Sequence, residues 1–402
     1  MKELIRYLEK IGMLIALFPL RLLKTKSNQI LLDNCLAHNY ADNIKPIAEE
    51  LLTEGKGSYS IYISVLDVSK YNHLLIRGLK LVKYHSFRYY LVAMTSGFFI
   101  TNSGGYSYLP LKKDQKVINT WHGGGAYKKI GVDAYNVSNF YRHDLLLAAK
   151  RTSIFTATGT MFADLISKAL LIPRNVFVEV GMPRNDILVN GNPEVAKKVR
   201  EQIGLKEDEK IVLYAPTYRR IKGDSFGGSI AIEYGIDHER VCKALEKRFG
   251  GVWRFAVRLH PQIKDLGEEF NTPDIINLTS YEDMQELLLV ADAMINDFSS
   301  SMWVYMLTGK PSFLYAKDLQ NYIDTTAVYM PVEKWPFPKS TNNDELEKSI
   351  LNFDEEKYKS DCNRHYEDLG GVRQVWRQLL FVIIYGMVKR IFRRVLDENS
   401  LL

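Results

Sequence analysis

Residues 294–319 read MINDFSSSMWVYMLTGKPSFLYAKDL. The stretch opens on the end of a short apolar run, Ala291, Ala293, Met294 and Ile295, interrupted only by Asp292. An apolar run bounded by polar residues reads as a buried strand of a parallel sheet. Asn296, Asp297 and Phe298 make a sharp polar exit, and Ser299, Ser300 and Ser301 follow. Met302, Trp303, Tyr305, Met306 and Leu307 recur at helical spacing. Gly309 closes that helix and Pro311 cannot continue it. Ser312 to Ala316 is then a second strand. A strand, a serine-lined turn, a helix and a strand in so few residues make a compact βαβ unit.

The turn points to an anion. The first turn of a helix carries unpaired N–H groups and partial positive charge, and serine hydroxyls there add donors for a phosphate. One serine would be explained as an N-cap. Three in succession, at the carboxyl end of a buried strand where open α/β sheets bind ligands, favour a phosphate site.

Working outward, the same alternation covers most of the chain. Toward the N-terminus, strands are expected at Ile30 to Leu32, Tyr59 to Val65, Tyr90 to Met94, Phe98 to Thr101, Val117 to Trp121, Ser153 to Thr158 and Val176 to Val180, with helices at Ala41 to Leu52 and Phe140 to Ala149. The charge-rich stretch from Asn192 to Lys210 reads as a helical connector. Beyond it the pattern restarts, with strands at Ile211 to Tyr214, Trp253 to Leu259 and Ile275 to Leu278, helices at His238 to Arg248 and Asp283 to Leu289, and a flexible loop at Gly223 to Gly228. Strands alternating with helices argue for parallel sheets covered on both faces. The expectation is an α/β chain of two Rossmann-type lobes facing a central cleft, residues 29–191 and residues 192–372.

The ends differ. Residues 1–28 hold the apolar run Ile11 to Leu20 with six basic residues against Glu3 and Glu9. That run is too short to span a bilayer, which needs about 20 residues, and no small-residue cleavage site follows it. It reads as a basic amphipathic helix on a membrane surface or as a helix packed on its own domain. Residues 373–402 repeat the theme: Leu379 to Tyr385 is apolar, and Lys389, Arg390, Arg393 and Arg394 alternate with Ile391, Phe392, Val395 and Leu396. Two such ends favour peripheral binding at an anionic cytoplasmic leaflet; a calmodulin-like partner helix or a plain packing helix is the alternative for the second.

Composition excludes several classes. The 402 residues are 46% hydrophobic and 25% charged, ordinary for a globular protein with a large core. The net charge of +6 is modest and concentrated at the ends, so no nucleic-acid partner is read from it. Cys35, Cys242 and Cys362 are far apart and odd in number, so they give neither a disulfide framework nor a CxxC site. There is no GxxxxGK[ST] for a P-loop, no HExxH, and no GxGxxG after the first strand. No Asp-x-Asp pair supports a metal-bridged donor. No metal and no cofactor are expected, and charge compensation falls to helix ends, serines, histidines and arginines.

Each polar motif directly follows an expected strand. These are His122 with Gly123, Gly124 and Gly125; Arg184, Asn185 and Asp186; Thr217, Tyr218, Arg219 and Arg220; His260 with Pro261; and Asp297 to Ser301. Strand ends of α/β sheets converge on ligand crevices, which is the physical argument for an enzyme. His122, on a glycine-rich turn, suits proton abstraction near neutral pH; a structural histidine capping a turn is the alternative. His260 is either a phosphate donor or a buried, satisfied side chain. Arg184, Arg219 and Arg220 are either phosphate partners or solvated charges.

Taken together, Thr120-Trp121-His122-Gly123, Gly181 to Asp186, Tyr214 to Arg219, His260-Pro261, Asn296 to Ser300 and Leu307 to Pro311 resemble the CDP-glycerol glycerophosphotransferases, which build teichoic acids and related capsule polymers. The resemblance is ordered and runs from about Asn34 to Leu319. It implies a GT-B-like fold and a monotopic protein at the cytoplasmic face of the cell membrane. The implied reaction transfers glycerol phosphate from CDP-glycerol to a lipid-linked saccharide or polymer acceptor, with release of CMP. His122 and His260 are the implied catalytic pair. Thr217, Arg219, Asp297, Ser299, Ser300 and Ser301 are the implied donor-binding set. Gly123, Gly124, Lys128, Arg184 and Asn185 are candidate substrate contacts. The departures are Gly124-Gly125, where the family usually has Thr-Pro, and Asn296, where it often has Ser. They leave the alditol open between glycerol and ribitol. A sugar transferase of the same fold using a nucleotide-sugar is the other reading, and a homo-oligomer is compatible with either.

Overall fold

The computed structural model describes residues 2–34, 38–54, 57–123, 125, 127–134, 137–217, 219–220, 229–230, 235–259, 270–325 and 328–371. Contacts divide the chain into two units, Met1–Asp186 with Leu369–Leu402, and Ile187–Asp368.

The first unit begins with helix α1 (Lys2–Leu17) and strand β1 (Lys26–Asp33), followed by α2 (Ile44–Glu54), β2 (Ser60–Val65), α3 (His73–Ile76), β3 (Lys80–Lys83), α4 (Phe87–Thr95), β4 (Ser96–Thr101), β5 (Lys116–Asn119), α5 (Asn139–Arg151), β6 (Thr152–Ala157), α6 (Thr160–Ala169) and β7 (Phe177–Glu179). Its sheet has the order β3-β2-β1-β4-β5-β6-β7, and every pairing is parallel. The central strands are buried on both faces. Ile30 and Leu32 point into one apolar cluster with Phe98 and Ile100. Leu31 and Phe99 point into the other, which also receives Leu17, Tyr89 and Val117. This is why β1 reads as a continuous apolar run and not as an alternating one.

The second unit follows from α7 (Asp186–Asn190) through α8 (Pro193–Gln202), β8 (Glu209–Tyr214), the short antiparallel pair β9 (Arg219–Arg220) and β10 (Ser229–Ile230), α9 (His238–Phe249), β11 (Val252–Val257), β12 (Ile275–Asn277), α10 (Met284–Val290), β13 (Ala293–Asn296), α11 (Ser301–Tyr305), β14 (Ser312–Tyr315), α12 (Leu319–Thr325), β15 (Lys339–Ser340), α13 (Asn343–Leu351) and α14 (Glu355–Asp368). Its sheet has the order β12-β11-β8-β13-β14-β15 and is parallel throughout.

Counted within each large sheet, the strands start 3-2-1-4-5-6, the doubly wound Rossmann order, whose switch point lies where the winding reverses. That point is between β1 and β4 in the first unit and between β8 and β13 in the second. The expected α/β, GT-B-like architecture of two Rossmann-type folds is the one observed.

One expectation is corrected, and one strand carries no signal in the sequence. Tyr90 to Met94 is not a strand but the body of α4. Ser86 caps that helix by accepting from the Tyr89 N–H, and α4 runs into β4 without a loop. The edge strand β3 carries only two buried residues, Leu81 and Val82, too short a signal to register as a strand. Residues 373–402, expected as a basic amphipathic helix, and the loop Gly223 to Gly228 lie outside the described residues. Among the described residues no helix is long and apolar enough to cross a membrane.

At the N-terminus, α1 packs one face on its own unit. Tyr7 hydrogen-bonds His143 of α5 (2.9 Å), Lys10 pairs with Asp144, and Met13 and Leu17 join the core. The other face leaves Leu4, Ile5, Leu8 and Ile15 exposed.

Gly97 shows how closely β4 meets the start of β1. A Cβ there would lie 2.9 Å from both the Lys26 carbonyl oxygen and the Ser27 Cα. Both obstacles are backbone and cannot rotate away. Gly97→Ala is expected to cost about 1–3 kcal/mol by overpacking, measured as a lower unfolding midpoint; an unchanged midpoint would contradict this close approach.

Candidate active site

In the second unit the switch point is joined by one carboxylate. The chain leaves β8 through Ala215 and Thr217, and leaves β13 through Asp297. Asp297 Oδ1 accepts from the Thr217 N–H (2.8 Å) and from its neighbour Phe298 N–H (2.5 Å). Phe298 is buried and stacks flat on Tyr322, with ring centroids 3.4 Å apart. The turn after β13 is thereby fixed on both sides. Ser299 and Ser301 share a hydrogen bond between their hydroxyls (2.9 Å), and Asn296 Nδ2 donates to Ser301 Oγ (2.7 Å). Ser300 occupies the cap position of α11 but makes no side-chain cap bond. The three serines are half-buried at the strand's carboxyl end. Ser299 and Ser301 are thus ordered by each other and by Asn296. The α-helix itself is only Ser301–Tyr305, continued by a 3₁₀ turn, Met306–Thr308, that ends at Gly309 in the left-handed region. A single helical turn adds little dipole, so hydroxyls are the chief donors here.

In the first unit the polar residues gather around His122. Its Nδ1 lies 2.9 Å from the Asn102 carbonyl oxygen. A carbonyl only accepts, so Nδ1 carries the proton and the neutral ring keeps Nε2 as its acceptor. Burial pushes the His122 pKa below 6.5, more than the Asn102 carbonyl and the Asp42 carboxylate raise it, and Arg184 lowers it further. The ring is therefore neutral, with Nε2 ready to take a proton, at pH 7.

The turn bearing His122 is held from three directions. Asn119 Oδ1 accepts from the Trp121 N–H (2.8 Å), and Asn43 Nδ2 donates to the Trp121 carbonyl (2.9 Å). Arg184 Nη2 donates to the His122 carbonyl (2.7 Å), its Nη1 pairs with Asp42, and its backbone N–H donates to Asn43 Oδ1 (3.1 Å). Asn102 Nδ2 donates to Asn34 (2.7 Å) and to Asp42 (3.3 Å). Trp121 sits at φ +54°, a conformation that a bulky side chain adopts only when its surroundings enforce it. Positive φ falls on Trp121 and on neither Gly123 nor Gly125. Gly125 serves close approach instead, since a Cβ there would fall 2.0 Å from the Tyr127 ring.

The expected site residues therefore divide by unit. Thr217, Asp297, Ser299, Ser300 and Ser301 come together after β8 and β13. His122, Gly123, Arg184 and Asn185 come together in the first unit, with Lys128 following on the same loop as a half-buried side chain. Arg219 lies on β9, with its side chain outside the described set, and His260 and Gly124 lie outside the described residues. Asp42, Asn43, Asn34 and Asn102 were not singled out from the sequence. Their one signal is placement: Asn34 and Asn102 end β1 and β4, and Asp42-Asn43 directly precedes α2, a position that favours capping residues. Among the described residues, no group of three or more His, Cys, Asp or Glu side chains is arranged to hold a metal.

Comparison with known proteins decides the family. The model of the family described as CDP-glycerol:poly(glycerophosphate) glycerophosphotransferase matches residues 15–368. The chain belongs to this family. It is 27% identical over 360 residues to a teichoic acid poly(glycerol phosphate) polymerase of Staphylococcus epidermidis, covering 85% of this chain and 48% of that protein. It is 26% identical over 231 residues to the teichoic acid ribitol-phosphate polymerase TarL of Staphylococcus aureus, covering 56% of this chain and 39% of that protein. A teichoic acid glycerol-phosphate transferase of Staphylococcus aureus is 26% identical over 340 residues, covering 82% of this chain and 84% of that protein. The chain thus spans about half or less of the two polymerases' length. Its fold is similar to that of the wall teichoic acid polymerase TagF, with a TM-score of 0.81 and 23% identity over 97% of this chain and 98% of the other.

Asp297→Ala removes the acceptor of two backbone N–H groups. Leaving buried donors unpaired costs about 1–3 kcal/mol. The variant is expected to lower the unfolding midpoint accordingly, whereas Asp297→Asn, which keeps an Oδ1 acceptor, retains most of the stability. Equal midpoints for Asp297→Ala and the native chain would contradict this bridging role.

Proposed function

We propose that the chain transfers glycerol phosphate from CDP-glycerol to a hydroxyl of a lipid-linked or polymer acceptor, releasing CMP, in the synthesis of a teichoic acid or a related polymer. The observation that carries this reading is the serine turn at the second unit's switch point, in a chain of this family: it offers hydroxyl donors suited to a diphosphate. Ser299, Ser300 and Ser301 hold the donor's pyrophosphate, with Thr217 positioned by Asp297, and Arg219 and His260 complete the donor set. His122 Nε2 accepts the proton of the acceptor hydroxyl. The hydroxyl oxygen bonds to the phosphorus bearing the glycerol, the bond to the CMP phosphate oxygen breaks, and CMP leaves with that electron pair. In such phosphoryl transfer, positioning and charge neutralisation carry most of the catalysis. Gly123, Gly124, Lys128 and Asn185 belong to the acceptor side of the reading.

Transfer of ribitol phosphate from CDP-ribitol is a second reading, favoured by the similarity to a ribitol-phosphate polymerase. The GT-B-like fold keeps a nucleotide-sugar donor as a third. CDP-glycerol, CDP-ribitol and UDP-glucose, offered separately with a glycerol-phosphate-primed lipid acceptor, separate them. CMP release from CDP-glycerol is expected, with His122→Ala lowering it at least about 100-fold, the usual scale for loss of a general base. Nucleotide release from UDP-glucose alone would replace glycerophosphotransfer with sugar transfer, and near-native turnover in His122→Ala would remove the base assignment.

The exposed apolar stripe Leu4, Ile5, Leu8 and Ile15 on α1, in an end carrying six basic residues, supports peripheral docking on an anionic membrane surface at its cytoplasmic face. The proposed organisation keeps residues 1–28 and 373–402 as membrane-facing ends flanking acceptor and donor lobes. Leu8→Asp with Ile15→Asp is expected to release the protein from phosphatidylglycerol vesicles in sedimentation. Undiminished sedimentation would rule out this face of α1 as the docking surface.

A further inference from the structure

We propose that Asp42 and Arg184 form a positioning pair that fixes the orientation of the His122 imidazole, and that Arg184 serves this role rather than contacting a substrate phosphate. The inference deepens the glycerophosphotransfer reading and rests on His122 being its base.

Three observations carry it. First, both terminal nitrogens of the guanidinium are engaged, while its Nε is buried without a hydrogen-bond partner among the described residues. Arg184 Nη1 pairs with the Asp42 carboxylate and Nη2 donates to the His122 carbonyl (2.7 Å), leaving the Arg184 side chain 10% exposed. A phosphate-binding arginine presents its fork to the ligand; here both Nη groups are turned into the protein. Second, Asp42 links that pair to the ring itself. Asn102 Nδ2 donates to Asp42 (3.3 Å), and the Asn102 carbonyl is the acceptor that fixes His122 Nδ1. A closed circuit thus runs from Asp42 through Arg184 to the His122 backbone, and from Asp42 through Asn102 to the His122 ring. Third, the circuit holds strain. Trp121, directly before His122, has φ +54°, and Asp42 has φ +57°. Unusual backbone at both ends of one network persists only where surrounding contacts over-determine it.

The pair also sets the ring's charge in opposite senses. Among the charged groups facing His122, the Asp42 carboxylate favours the imidazolium and the Arg184 guanidinium disfavours it. Removing Arg184 should therefore raise the pH at which His122 protonates, and neutralising Asp42 should lower it. A network that only braced the fold would change stability without these opposed shifts.

The test is an NMR titration of the full chain labelled at histidine Cε1, with the His122 signal assigned by its loss in His122→Asn. The native chain should titrate below 6.5, Arg184→Gln at higher pH and Asp42→Asn at lower pH than the native chain. Asp42→Asn is isosteric, so it still reads the network if Arg184→Gln folds poorly. In parallel, each variant should lose about 10- to 100-fold in kcat with little change in KM for CDP-glycerol, as misplacement of a catalytic group predicts, and Arg184→Lys should restore only part. Unmoved His122 titrations overturn the proposal, as does a raised KM with unchanged kcat in Arg184→Gln, which marks a phosphate contact. The titration needs no substrate. Failure of the native chain to release CMP would therefore remove the glycerophosphotransfer reading while leaving the ring's electrostatics independently measured.

Discussion

A parallel sheet brings every strand's carboxyl end to one edge, where the ladder stops and the backbone polar groups of the departing turns need other partners. At the switch point the turns leave on opposite sides, so a side chain must bridge the gap. Here one carboxylate does so in each unit, the buried Asp297 and the partly buried Asp42. Asp297 ties the turn after β8 to the turn after β13 by accepting the Thr217 N–H. Asp42, placed after β1, gathers Asn102 from the end of β4 and Arg184 from beyond β7.

The two bridges produce different surfaces. The Asp297 bridge leaves Asn296 and the serines to order one another, so the turn presents hydroxyls. The Asp42 bridge turns its charges inward and leaves one uncharged base, the Nε2 of His122, on a turn pinned through both the Trp121 and His122 carbonyls. A donor surface for oxygen anions and a neutral proton acceptor are the two components that glycerol phosphate transfer requires. The hydroxyl turn follows the fourth strand of its sheet, and His122 follows the fifth strand of the other.

Much of the fold was legible because both sheets are buried on two faces, which turns their strands into short apolar runs such as Ile30 to Leu32 and Met294 to Ile295. The reading failed where that signal misleads. The run Tyr90 to Met94 is as apolar as a strand, yet Ser86 caps it as a helix that abuts β4. The motifs were legible as well, since each follows a strand. What the chain order concealed was their partners. Asp42, Asn43 and Asn102 are unremarkable in sequence, and their connection to His122 exists only because the strand order sets β1 beside β4. The expected helix dipole at the serine turn proved to be a single turn, with hydroxyls and Asn296 in its place.

The account turns on the claim that the serine turn after β13 is where the donor's diphosphate binds. A structure of the full chain with CDP-glycerol bound tests this most directly. The account predicts pyrophosphate oxygens within hydrogen-bond distance of the Ser299, Ser300 or Ser301 hydroxyls. A bound CDP-glycerol whose pyrophosphate touches none of the three would contradict it.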